Sequence, residues 1–175
     1  MKTGIRNVII AALAMSAVAC TKVPAGNVGI MFDLYGGDKG VTGEVVGPGK
    51  YWLGWNEELF IYPTFSQTSQ WTADSRTGSE TDESITFQDR DGTQMNADVG
   101  LTYAIDPTKA DTLFEKFRKG IDEITDIYLR NMVRDAMNNE SAKMEVTEIY
   151  GAGKEQLMVR VTELVKNQVA PFGVS

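Results

Sequence analysis

The sequence predicts an α+β domain in which an antiparallel β-sheet forms first and about three helices then pack on one side of it. Apolar residues alternate with a period of two, between turn signals, as far as Ala104, and recur every three or four residues after Pro107. Strands followed by helices, without regular alternation of the two, are typical of α+β domains. The 175 residues give room for one such domain and a short targeting segment.

The predicted strands are bounded by glycine, proline or polar turn residues, as at Gly36–Gly37 and Gly47–Pro48–Gly49. The clearest hairpin turns at Asp91–Gly92, where glycine accepts a positive φ angle without a Cβ clash. Residues 74–82 are all polar or small and predict an exposed loop. The strands are predicted over Val28–Tyr35, Thr42–Val46, Lys50–Leu53, Leu59–Tyr62, Phe65–Thr72, Ser84–Gln88 and Met95–Ile105.

Large aromatic side chains accompany these strands. We expect them to cover one face of the sheet and to belong to the core, because burying aromatic surface is a large stabilising contribution. They are Tyr51, Trp52, Trp55, Phe60 and Trp71.

Three helices are predicted after Asp106, the expected N-cap, and each carries an apolar stripe with a period of 3.6 residues. The first begins with Pro107 in its first turn and ends at Gly120. The second covers about Ile121–Asn139 and the third about Lys154–Val169. A short turn at residues 146–150 separates them, and residues 171–173 end the third helix.

The composition excludes several classes of function. The chain has no histidine and one cysteine, which removes histidine-dependent triads, histidine zinc sites, internal disulfides and CxxC redox chemistry. The 17 Lys and Arg against 24 Asp and Glu give a net charge of −7, which argues against nucleic-acid binding. No catalytic residue, metal site or cofactor site is predicted, so we expect a non-enzymatic protein.

Two short motifs resemble ligand-binding loops and are interpreted as local structure. The sequence Gly151–Lys154 lacks the flanking glycine and hydroxyl of a phosphate loop, since Glu148 and Glu155 occupy those positions. It predicts the start of a helix. The sequence Asp89–Gly92 lacks the spaced acidic ligands of a calcium loop and predicts a hairpin turn.

The amino terminus has the layout of a secretory signal. Lys2 and Arg6 precede a 12-residue apolar run from Val8 to Ala19, interrupted by Ser16. This run is shorter than the about 20 residues with which a helix crosses a bilayer. The small residues 17–19 directly before Cys20 resemble the bacterial lipobox, whose cysteine receives a diacylglyceryl group and becomes the new amino terminus.

We therefore predict a signal peptide over residues 1–19, a lipidated tether over 20–27 that begins at the lipidation site Cys20, and the folded domain over 28–175. The alternative is that Cys20 is a buried thiol at the end of an uncleaved anchor helix. Without Lys2 and Arg6, 15 basic and 24 acidic residues give a net charge of −9, so we assign membrane attachment to the lipid anchor. Thr21 stands where aspartate would retain a lipoprotein in the inner membrane, which leaves inner and outer membrane both open.

In this order the chain resembles the stomatin/prohibitin/flotillin family, also called SPFH or Band 7. The likeness extends over about Val23–Val174 and depends on the combination of four segments. They are Val23–Gly29, Gly47–Trp52, Asp91–Gly92 with the strand that ends at Asp106–Pro107, and Val169–Val174.

The resemblance implies a membrane-attached, non-enzymatic scaffold that forms homo-oligomers, organises membrane proteins and in some relatives regulates membrane proteases. Two features differ from the usual family pattern. Members usually continue past Phe172–Gly173 into another strand and a long coiled coil, whereas this sequence stops at Ser175, so a minimal version and a chain lacking the coiled coil are both open. The family also uses a transmembrane or hairpin helix more often than a lipobox.

Two functions follow as hypotheses. The first is a lipid-anchored scaffold that faces the periplasm in a bacterial cell envelope. The second is a monomeric periplasmic lipoprotein that binds a small ligand or a cell-wall component, with Tyr51, Trp52, Trp55 and Trp71 as its site if these residues line a pocket.

Overall fold

A computed structural model describes residues 20–35, 40–74 and 81–175, with the backbone alone for residues 40–44. The predicted signal peptide, the turn at Gly36–Gly37 and most of the loop over residues 74–82 lie outside the described residues. Strands occupy the first half and helices the second, which confirms the predicted α+β class.

The strands of the described residues pair antiparallel in four small groups. The central group is a three-stranded sheet in the order β3-β2-β5, and the others are the pairs β1-β4, β6-β9 and β7-β8. The strand bounds are β1 Cys20–Val23, β2 Asn27–Asp33, β3 Gly40–Val46, β4 Gly49–Trp52, β5 Glu57–Pro63, β6 Gln67–Trp71, β7 Ile85–Gln88, β8 Gln94–Ala97 and β9 Val99–Tyr103.

The strand predicted over Met95–Ile105 is divided into β8 and β9 at Asp98. The carboxylate of Asp98 accepts the backbone N–H of Ala73 at 3.0 Å, which fixes the end of β6 beside this break. The two halves therefore pair with different strands, β8 with β7 and β9 with β6.

The helices follow the predicted positions. Asp106 caps the first turn as expected, because its Oδ1 accepts the N–H of Thr108 at 2.9 Å. Helix α1 ends earlier than predicted, at Arg118 in the left-handed conformation, and the predicted short turn at residues 146–150 forms a helix of its own. The elements are a 3-10 turn Pro107–Lys109, α1 Ala110–Phe117, α2 in three continuous segments (Ile121–Glu123, a π-helical Ile124–Leu129, and Arg130–Ser141), α3 Val146–Tyr150, α4 Lys154–Val169 and a 3-10 turn Ala170–Phe172.

A hydrophobic core joins the sheets to the helices. The Phe114 ring of α1 contacts Phe32 of β2 and Phe60 of β5, with centroids 5.6 and 4.5 Å apart. A buried hydroxyl pair also joins sheet and helix, since Tyr103 of β9 lies 2.6 Å from the Thr125 hydroxyl in the π-helical segment. The helices therefore fix the sheets with both apolar and polar contacts.

The prediction that five aromatic residues form core is wrong for two of them. Trp71 is 2% exposed, and Tyr51 and Phe60 are half-buried, but Trp52 is 70% and Trp55 is 90% exposed. Trp52 lies on the solvent side of a two-stranded pair, and Trp55 lies in the turn after it. These positions have no second layer above them, so the alternation of residues did not predict burial there.

Gly173 follows the 3-10 turn Ala170–Phe172 and has φ +79°, a conformation that favours glycine. A Cβ atom there would lie 2.5 Å from Cβ of Lys109, and the Gly173 carbonyl accepts the N–H of Asp106 at 2.7 Å.

We expect Gly173→Ala to lower the free energy of unfolding by about 1–3 kcal/mol. Gly92→Ala, with φ +80° and open space, should cost less, and Gly100→Ala, with open space and an ordinary φ, least. Urea unfolding of the three variants measures this, and equal losses would contradict it.

The buried Tyr62 hydroxyl is expected to make the free energy of unfolding depend on pH under alkaline conditions. It donates to the Lys119 carbonyl at 2.5 Å, and burial raises its pKa. Above about pH 10 the unfolded chain loses this proton while the folded chain keeps it, so the free energy of unfolding falls by about 1.4 kcal/mol per pH unit for such a group. Unfolding curves from pH 9 upward should fall less steeply for Tyr62→Phe. At pH 7 the same variant should lose only the hydrogen bond, about 0.5–1.5 kcal/mol. Parallel curves for the two proteins would contradict the assignment.

Candidate membrane-facing site

The predicted lipidation site Cys20 is the first residue of β1, which pairs with β4 as a two-stranded ribbon. In the register of this ribbon Cys20 is opposite Trp52, and Lys22 is opposite Lys50. Directly opposed side chains in an antiparallel pair point to the same side. All four are exposed, and we call this side of the ribbon the anchor face. The tether predicted over residues 20–27 thus contains a paired strand.

The opposite side of the ribbon packs on the three-stranded sheet through Val23, which is 1% exposed. Its partner across the ribbon is Gly49, and below it lies Gly29 of β2. A Cβ atom at Gly29 would lie 3.1 Å from Cγ2 of Val23 and 2.8 Å from side-chain atoms of Val46 and Leu59. Only a glycine leaves this space, so Gly29 lets the ribbon approach the sheet closely.

The turn into β4 is fixed by Tyr51. Its hydroxyl donates to the Gly47 carbonyl at 2.8 Å, and its ring covers Gly49, whose notional Cβ would lie 3.3 Å from ring atoms. This contact gives a structural reason for the glycines of the Gly47–Trp52 segment. It directs the Tyr51 side chain away from the anchor face and leaves Trp52 on it.

An exposed aromatic cluster lies at the end of the ribbon that contains Cys20. Trp55 is in the turn between β4 and β5, and its ring stacks on Tyr35, which follows β2, with centroids 6.5 Å apart. The Asn56 side chain donates to the Tyr35 carbonyl and fixes this arrangement. We call the exposed residues Leu34, Tyr35 and Trp55 the aromatic tip.

The anchor face and the aromatic tip lie at the same end of the strands. β4 ends at Trp52 opposite Cys20, and β5 begins at Glu57 opposite Asp33, the last residue of β2. Both pairs lie where β4 passes into β5 through the turn that carries Trp55. We call this region the Cys20 end.

The anchor face carries two lysines and no acidic residue, although the whole chain is acidic. Lys22 and Lys50 face each other, and no carboxylate of the described residues forms an ion pair with either. Opposed like charges destabilise a strand pair. The face therefore offers two amines that an external anion can neutralise. The net charge of the sequence did not predict this local feature, because it depends on strand register.

The exposed Cys20 thiol contradicts the alternative that this cysteine is buried. The four aromatic residues of the binding-module hypothesis are not brought together in a pocket. Trp71 is in the core and Trp52 and Trp55 project into solvent, and none of them lines the apolar groove described next. That hypothesis gains no support from the geometry.

An apolar groove lies between β9 and α4, on the helical half of the domain. It consists of adjoining cavities of about 300 and 450 Å³ that share Val99, Gly100 and Met158 as lining residues. Beside it, Ser175 and Ala104 exchange two backbone hydrogen bonds, of 2.9 and 3.0 Å, in an antiparallel arrangement.

The two motifs interpreted as local structure are confirmed as such. The Asp89 carboxylate accepts the N–H groups of Asp91 and Thr93 at 2.9 and 2.7 Å, and Gly92 has φ +80°, as in a hairpin turn. Gly153 is the N-cap of α4. The described ranges contain no cluster of three or more possible metal ligands. Within the same ranges, every helix is too short or too polar to cross a bilayer.

Tryptophan fluorescence tests the burial of these residues. Because Trp52 and Trp55 are exposed and Trp71 is buried, we expect acrylamide to quench the wild-type chain strongly and a Trp52→Phe/Trp55→Phe double variant weakly. The double variant should also emit at a shorter wavelength. Strong quenching of the remaining Trp71 would contradict the described core.

The comparison with known proteins agrees with the fold. The family description "SPFH domain / Band 7 family" matches residues 21–175, from the second residue of β1 to the last residue of the sequence. No curated protein matches the chain. Because the match extends over far more than half of the sequence, this chain belongs to the SPFH domain / Band 7 family of membrane-associated, stomatin/prohibitin-type scaffold proteins.

Proposed function

We propose that this protein is a lipid-anchored scaffold that faces the periplasm in a bacterial cell envelope. It self-associates and holds membrane proteins, including membrane proteases, without chemistry of its own. The observation that carries the proposal is the position of Cys20, exposed at the first residue of β1 and directly before the family match. A lipid on this cysteine would hold the domain at the bilayer without an intervening flexible linker.

The anchor has sufficient strength in the proposed form. Each buried methylene group contributes about 0.8 kcal/mol, so a single acyl chain binds marginally and the three chains of a bacterial lipoprotein hold durably. The Cys20 side chain is on the exposed face of the ribbon, so acyl chains can leave it without disturbing the packing of Val23 on the other face.

Self-association is supported by apolar surface on the helical half. Tyr150 and Met158 line the groove beside α4 and are 74% and 49% exposed. Exposed apolar side chains beside a groove are typical of surfaces that bind protein. None of the residues that line this groove belongs to the β1–β4 ribbon, so a lipid on Cys20 does not replace any of them.

The Cys20→Ser variant tests the anchor. In bacteria that express the full chain, we expect labelled palmitate in the wild-type protein and none in Cys20→Ser. Thr21→Ser is the matched control and should keep the label. A Cys20→Ser protein that still incorporates palmitate would contradict lipidation at this residue.

The same membranes test the scaffold. Crosslinking of the wild-type protein should give multimers and captured membrane proteins. A membrane-bound protein that stays monomeric under crosslinking and captures no membrane partner would contradict the scaffold while leaving lipidation intact.

A further inference from the structure

We propose that the Cys20 end is itself a lipid-binding surface, in which the anchor face and the aromatic tip lie in the headgroup region of an anionic phospholipid bilayer. The proposal deepens the proposed function, because the lipid on Cys20 brings this end to the membrane. Unlike the proposed function, this proposal assigns phospholipid binding to side chains of the folded domain.

The first argument is the exposure of aromatic side chains. Trp52 and Trp55 are 70% and 90% exposed, and Tyr35 is 69% exposed. Tryptophan and tyrosine favour the membrane–water interface, where the ring is in an apolar layer and its polar group stays hydrated. Exposed large apolar residues grouped at one end of a domain indicate a surface that binds a membrane or another protein.

The second argument is the charge beside these rings. Lys22 and Lys50 are directly opposed across the ribbon without an ion-pair partner among the described residues. Lipid phosphates would neutralise both amines and remove their repulsion. Lysine suits this position because its long apolar stem can lie along the acyl layer while the amine reaches the phosphates.

The third argument is orientation. The Cys20 end also contains the acidic register pair Asp33–Glu57, and the Glu57 carboxylate accepts the N–H of Gly54 at 2.8 Å. Glu57 is thus engaged within the turn that carries Trp55, whereas Lys22 and Lys50 are exposed on the anchor face. An anionic surface would therefore attract the domain through Lys22 and Lys50, which turns the anchor face toward the bilayer.

A bilayer fits this end better than a protein partner does. The exposed residues belong to one face of a ribbon, the turn after it and the end of β2, and none of them lines the groove beside α4. Basic and aromatic side chains beside a lipid attachment point match the chemistry of a phospholipid surface.

The single cysteine allows a direct test that does not depend on acylation in the cell. Chain beginning at Cys20 is coupled through this thiol to a maleimide lipid in vesicles of phosphatidylethanolamine with either phosphatidylglycerol or phosphatidylcholine. Brominated acyl chains in the same vesicles then quench tryptophans that enter the bilayer. We expect strong quenching on phosphatidylglycerol, less on phosphatidylcholine, and little for the Trp52→Phe/Trp55→Phe variant, in which only the buried Trp71 remains.

Untethered protein measures the contribution of each side chain. In a Cys20→Ser background, Lys22→Gln and Lys50→Gln should each lower partitioning into phosphatidylglycerol vesicles about fivefold. Trp52→Ala and Trp55→Ala should lower it on both vesicle types. Lys166→Gln on α4 and Phe65→Ala, an exposed aromatic away from the Cys20 end, are matched controls and should change it by less than about twofold.

The result that would overturn the proposal is unquenched tryptophan in protein tethered to phosphatidylglycerol vesicles. Equal losses in the control variants would overturn it as well. So would a tryptophan blue shift that depends on protein density and not on lipid, because that would assign this end to contacts between copies of the chain. None of these results depends on whether the cell acylates Cys20, so they are separate from a failure of the proposed function.

Discussion

The packing of Val23 on Gly29 is the contact on which the geometry of the anchor face depends. A two-stranded ribbon is marginally stable alone, so β1 and β4 keep their shape because one side is buried on the three-stranded sheet. The missing side chain at Gly29 lets Val23, Val46 and Leu59 meet above the sheet. Once Val23 is buried, the period of two turns Cys20, Lys22, Lys50 and Trp52 outward. The position of the cysteine and the composition of the face around it are thus consequences of one close packing contact.

The helical half holds this arrangement to the rest of the domain. Phe114 of α1 packs on both β2 and β5, the strands on which the ribbon rests, and Tyr62 bonds to the backbone at the end of α1. The chain then returns through α4 to Gly173, where the backbone bonds to Asp106 at the start of the helical half. Sheet and helices thus share one hydrophobic core, which includes Val28 and Ile30 of β2 and Val161 and Val165 of α4.

Charge on this protein has to be considered locally. The chain without its predicted signal has a net charge of −9, which favours solubility and opposes general adhesion to an anionic membrane. Strand register places two lysines on the one face that also carries Cys20 and Trp52. Attraction at this face and repulsion elsewhere are compatible, because charges in solution are screened within about 8–10 Å.

The sequence by itself determined the α+β class, the positions of the helices, the two local turns at Asp89–Gly92 and Gly153, and the family, because these depend on short periodicities and local backbone chemistry. It also placed Cys20 directly after an apolar run. Which aromatic residues are buried depends on the tertiary structure. The alternation of apolar and polar residues along the strands predicted burial for both Trp71 and Trp52, but only Trp71 is buried. The tertiary structure also decided that Lys22 and Lys50 share a face with Cys20, since two segments separated by more than twenty residues must pair in one register. Whether a strand residue is buried, and which residue it faces across a strand pair, depend on contacts between segments that are far apart in the sequence.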